Sequence, residues 1–171
     1  GGDPVLCDAD QFGVVCQWWL NEINLPAVGH WNVLHRVNWE ENSPAVTVSF
    51  AELGLESDTD YLIYEFWTAQ FQGIKRGQIE MPEAYENDLA SYAIRKLESH
   101  PQIVSTNRHL SQGGVDLIEV KWDGMKLSGI SNVVQNDRYE LAVHIPAGYQ
   151  LVRAEFDSNP AASHATADSL L

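Results

Sequence analysis

Positive charge is what this sequence has least of. Ten Lys and Arg stand against 24 Asp and Glu in 171 residues, a net charge of −14. So acidic a surface repels phosphate backbones and anionic headgroups, which argues against nucleic acid and polybasic membrane docking as partners. Neutral polyols, cations and basic protein patches stay open. Cysteine is nearly missing too: Cys7 and Cys16 are the two present. There is no CxxC pair, and two thiols alone do not make a structural zinc site. Their flanks, Val5-Leu6-Cys7 and Val14-Val15-Cys16, read as buried strand, which favours free thiols. No run approaches 18 apolar residues, so no transmembrane helix is expected. The opening Gly1-Gly2-Asp3 lacks the basic and apolar regions of a signal peptide. The chain also starts without Met. It reads as a piece cut from a longer protein, which leaves targeting signals open.

Familiar chemical motifs are missing as well. There is no P-loop, GxGxxG, GxSxG or HExxH, so no cofactor and no metal site is expected. Six His are spread along the chain at 30, 35, 100, 109, 144 and 164. His100 and His109 would sit at the two ends of one short extended segment, roughly 25–30 Å apart, too far to share a metal. Asp58-Thr59-Asp60 and Asn136-Asp137 are oxygen-rich, but Asx turn formation accounts for them better than calcium binding. With 24 acids on offer, a carboxylate pair for glycoside cleavage carries no information by itself.

What is present is a 44% apolar chain with a strand rhythm. That length suits one domain with a substantial core. Val14–Leu20 is a first β-like run. Trp31–Trp39 and Ala45–Phe50 follow on either side of the polar turn Glu40–Pro44, and read as a hairpin. Tyr61–Trp67 is the strongest strand in the chain. Leu89–Leu97 fits helix or strand, and is assigned strand because its neighbours are strands. Val115–Trp122 and Met125–Ser131 flank Asp123-Gly124, a strong hairpin signal. Tyr139–Ile145 and Tyr149–Phe156 close the pattern. Roughly ten alternating strands without a long helix predict an all-β fold, an antiparallel two-sheet β-sandwich of Greek-key or jelly-roll type. Residues 1–30 read as a lead-in segment with the first strand, 31–156 as the sandwich, and 157–171 as a frayed tail.

Tryptophan is the enriched residue, at six. Burial is the common fate of such rings; flat rings also form platforms for sugar CH faces. Trp39 and Trp67 are expected in the core. Trp122, beside Asp123 at a hairpin tip, and Trp31, after Gly29-His30, are the candidates for stacking on carbohydrate.

Two ordered stretches carry a resemblance. The first runs from Val37-Asn38-Trp39 through Val46-Thr47-Val48 and Glu52-Leu53-Gly54-Leu55 to Tyr61–Trp67. It resembles the C-terminal β-sandwich of α-galactosidases and related melibiase-like (family 36-like) glycoside hydrolases. Glu65 stands where Asp is commoner in that pattern. The second stretch, Ser99–Gly113, is similar to the "HP-x-hydrophobic-x-S-T-x-R-H-x-x-Q-G" segment of such tail domains. In that family the catalytic aspartates lie on a (β/α)₈ barrel of about 250 residues, more than this whole chain holds. The resemblance therefore implies a non-catalytic accessory domain that braces a missing barrel and contacts oligo- or polysaccharide, with no family catalytic residue on this chain. An independent carbohydrate-binding module is the alternative. An extracellular or periplasmic setting follows from the resemblance alone. Adjacent Trp18 and Trp19 put a ring on each face of one strand, so one of them is expected to have faced the lost barrel.

Overall fold

The fold is described from a computed structural model, for residues 5–6, 18–39, 42–157 and 159–163. The strands in chain order begin with β1 (Val5–Leu6), β2 (Trp18–Leu25), β3 (Gly29–Val37), β4 (Asn42–Ser43) and β5 (Val46–Ser49). Then come β6 (Asp60–Glu65), β7 (Gln70–Arg76), β8 (Gln78–Met81), β9 (Ala84–Tyr85) and β10 (Leu89–Lys96). The last six are β11 (Gln102–Thr106), β12 (Leu117–Trp122), β13 (Leu127–Ser131), β14 (Leu141–His144), β15 (Glu155–Phe156) and β16 (Asn159–Pro160). All pairings are antiparallel. There is no helix among the described residues. The fold is an all-β sandwich, as the alternating pattern predicts. Cys7, Cys16, Val14–Gln17 and His164 lie outside the described residues.

One sheet organises the rest, in the order β1-β2-β3-β10-β6-β7. Side chains alternate across a strand, so each strand of this sheet addresses two faces. Tyr61 and Ile63 of β6 join Leu34 of β3 and Tyr92 and Ile94 of β10 on one face. There they pack on Val48, Phe50, Ile79 and Met81, supplied by the β5–β8 pair and the turn after β5. Leu62 and Tyr64 point the other way and meet Val104 of β11 and Ala142 of β14. The central sheet is thus covered on both faces, by different small sheets. That explains β3, where six consecutive residues from Trp31 to Arg36 are buried. Each large apolar side chain sealed in these layers contributes about 1.5–3 kcal/mol.

The expected hairpin of Trp31–Trp39 with Ala45–Phe50 does not form. β3 lies between β2 and β10, and β5 pairs with β8. The reason sits between them. Asn42-Ser43 forms β4 and pairs with β9, and Arg36 donates to Ser43 Oγ at 2.8 Å, to Pro44 O at 2.7 Å and to Pro82 O. These bonds carry the chain off the central sheet before β5 starts. Neither Trp39 nor Trp67 belongs to the core: they are 58% and 55% exposed. Each lies two residues past the end of its strand, β3 or β6, so strand parity no longer fixes where it points. Residues 18–25, placed in the lead-in, form β2 and pair with β3 along its whole length.

Replacing Ile63, fully buried, by Ala is expected to cost about 2–5 kcal/mol of stability. Trp39→Ala should stay within about 0.5 kcal/mol. Urea unfolding of both variants checks this, and a larger loss at Trp39 would restore it to the core.

Candidate functional site

A groove of ≈ 400 Å³ opens where β3 begins and β10 ends. Its far wall is the β12–β13 hairpin, fastened to the β2–β3 turn by Val120 N–H donating to Ala27 O at 2.9 Å. Trp122, the last residue of β12, lines it. The His100 ring lies parallel to the Trp122 ring, 5.4 Å away and tilted by 9°. Tyr149 closes on it edge-on at 5.5 Å. Trp122 is half-buried and cannot turn freely between these two rings. His100 is oriented in its turn. Its Nδ1 lies 2.9 Å from Pro101 O, and since a carbonyl only accepts, Nδ1 carries the proton. Gln102 clamps the loop below, accepting from Glu98 N–H at 2.7 Å and donating to Lys96 O at 3.0 Å.

Asp123 sits at the hairpin tip, as the sequence suggests, but its Oδ1 is committed to the turn. It accepts the N–H of Met125 at 2.9 Å and of Lys126 at 2.7 Å. These bonds hold its carboxyl below the usual range. Trp31 does not offer a platform. It is 1% exposed, its indole N–H donates to Ser111 O at 3.0 Å, and the Arg95 guanidinium lies 3.8 Å above its ring. Its strand is covered on both faces, so it has no free face for a sugar. Trp18 and Trp19 are both half-buried. Trp18 packs against the core, and Trp19 stacks on His35 at 5.0 Å.

The polar layer beneath the groove has no local signature in the sequence. Arg95 Nε donates to Val104 O at 2.8 Å and Nη2 to Gln112 O at 2.9 Å. Burial pushes this guanidinium down to about 9, against a partial pull from Asp116. The Gln112 side chain donates to Ser91 O at 3.1 Å and accepts from Ser105 Oγ at 2.8 Å. Ser91 Oγ meets His35 Nδ1 at 2.9 Å. That spacing suits a nucleophile and base. Yet Ser91 is 0% exposed and its N–H donates to Glu65 at 3.0 Å, so no substrate reaches the hydroxyl. The pair fastens β3 to β10. The segment Ser99–Gly113 supplies Ser105, His109, Ser111 and Gln112 to this layer, so a single stretch of sequence roofs it.

The oxygen-rich loops are also committed. Asp60 holds Arg76 through two bonds of 2.7 and 2.8 Å, and Asp137 holds Arg108 at 2.7 Å. Among the described residues no group of three or more His, Cys, Asp or Glu is placed to hold a metal ion. No family model matches this sequence, and no curated protein matches it.

Burial, with help from the His109 charge, holds the His35 imidazole below 6.5. His144 is lowered by burial as well. The unfolded chain therefore takes up these protons first, and stability falls as pH drops below about 6.5. Urea midpoints measured from pH 7.5 to 5.5 should show this fall. His35→Gln should flatten it, and an unchanged slope would remove His35 from the account.

Proposed function

We propose that this chain is a non-catalytic β-sandwich that contacts carbohydrate at the groove beside Trp122, as an accessory domain of an α-galactosidase-like glycoside hydrolase. One observation carries the sugar contact: Trp122 is a half-exposed flat ring held in a fixed orientation by His100 and Tyr149 on the wall of a groove. A ring fixed before binding loses little freedom when a sugar CH face settles on it. A groove of this volume falls in the range of small-ligand sites.

The accessory role rests on the other end of the central sheet. Trp39, Trp67 and Tyr85 are exposed there, at 58, 55 and 63%, beside half-buried Trp18 and Trp19. Exposed aromatics grouped in this way suit contact with another domain, here the (β/α)₈ barrel. An extracellular or periplasmic setting accompanies that role. The alternative, an independent carbohydrate-binding module, is favoured by the groove's position: it needs no residue from a second domain.

Affinity electrophoresis in galactan, glucan and mannan gels tests the sugar contact. At least one polysaccharide should retard the chain, and Trp122→Ala should weaken that binding by about tenfold or more while the protein stays folded. No retardation in any gel would remove the glycan and leave the bracing role alone.

A further inference from the structure

The floor of the same groove holds a cation that no carboxylate touches among the described residues; the buried Asp116 acts on it only from beyond ion-pair distance. Arg95 lines it and is 7% exposed. Two of its three nitrogens are spent on the carbonyls of Val104 and Gln112, and its flat face on Trp31. Among the described residues the third nitrogen, Nη1, has no hydrogen-bond partner, and it keeps some surface accessible at the groove. Among the described residues no carboxylate lies within ion-pair distance of Arg95. Nearby Lys96 differs in this respect, being matched by Glu56 at 2.9 Å. In a chain with 24 acids, a buried guanidinium with none in contact is conspicuous, because a charge taken from water is stabilised best by an opposite charge beside it.

We propose that this groove recognises an acidic sugar: a uronate-bearing oligosaccharide whose carboxylate meets Arg95 Nη1 while a sugar ring lies on Trp122. The proposal rests on the glycan contact argued above and names its chemical class. A planar guanidinium matches a carboxylate well, and such charge-assisted bonds are about twice as strong as neutral ones. Glu98, also in the groove, opposes a second negative group and favours neutral residues on either side of the uronate. The overall charge of −14 does not forbid the contact. At physiological salt, exposed charges beyond about 8 Å are largely screened, so the groups in the groove decide.

Calorimetric titration of the full chain with three sugars separates the possibilities: an oligosaccharide with one galacturonate flanked by neutral galactose residues, the same oligomer as its methyl ester, and the neutral galacto-oligosaccharide. The ester keeps the ring and removes the charge. The free acid should bind about tenfold or more tighter than the other two. The Arg95 Nε–H resonance should move with the acid and not with the ester, and Lys96→Gln should leave the preference intact. Equal or tighter binding of the neutral sugars would overturn the acid preference and leave the glycan contact standing. Loss of the preference in Lys96→Gln, or an unmoved Arg95 signal, would overturn the role of Arg95. No binding of any of the three would overturn the acid preference, and the polysaccharide gels then decide separately whether the glycan contact stands.

Discussion

The buried guanidinium of Arg95 is the constraint around which one half of this protein is arranged. A guanidinium does not shed its proton at neutral pH, so it must be solvated by whatever replaces water. Here that is the Trp31 ring and two backbone carbonyls from the chain beyond β10. Those carbonyls fix where β11 starts its cover of the central sheet and where the 111–114 turn lies. The turn is built for this closeness. At Gly113, with φ +113°, a Cβ would meet Leu117 Cδ1 at 2.7 Å and Arg95 Nη2 at 3.3 Å. At Gly114 it would meet Ser111 Cβ at 2.9 Å. Gln112, itself at φ 52° and 0% exposed, then reaches back to Ser91. Glycine at both positions is therefore required by the cation and by the side chains packed round it.

The strands were largely legible because most alternate. Tyr61–Trp67 and the Asp123-Gly124 hairpin show this, as β6 and the β12–β13 pair. Leu89–Leu97 was ambiguous for a physical reason. β10 sits inside the sheet with both faces covered, so its polar positions, Ser91 and Arg95, are buried as deeply as Tyr92 and Ile94. Alternation by polarity disappears in such a strand. Strand partners were harder to read. A polar turn between two apolar runs looks like a hairpin whether or not the chain changes sheet there, and the bonds of Arg36 that redirect it, to Ser43, Pro44 and distant Pro82, follow no periodicity that a sequence displays. The same limit hid the site. Trp122 could be found from its place at a hairpin tip, whereas the facing His100 comes from the loop after β10 and the floor cation from β10 itself. Trp31 looked like a platform because it follows a glycine; only the fold shows Arg95 lying across it.

The two ends of the central sheet have different characters. Where β2 and β10 begin, the aromatics Trp18, Trp19, Trp39 and Trp67 gather. Where they end lies the groove, about 25 Å away along a strand of this length. Between them the sheet is crossed by buried polar contacts, Arg36 on one face and the Ser91, Gln112 and Arg95 layer on the other. Such contacts are direction-dependent in a way apolar packing is not, and they hold the ends in fixed relation. A domain with that division can rest on a partner by one end and meet a ligand by the other, with no residue serving both.

Strand β7 has a further consequence. It is the outer strand of the central sheet on the β6 side, with its outward N–H and C=O groups unclaimed by another strand of that sheet. An open border of this kind invites a second chain to pair along it. Here the register with β6 slips beside Gly73, whose φ is +88°, and the strand finishes with Lys75 and Arg76, the latter held to Asp60. A second copy approaching in line would meet a kinked ladder and its own like charges. In a fold whose described regular elements are all strands, such a border disfavours edge-to-edge pairing of neighbouring molecules.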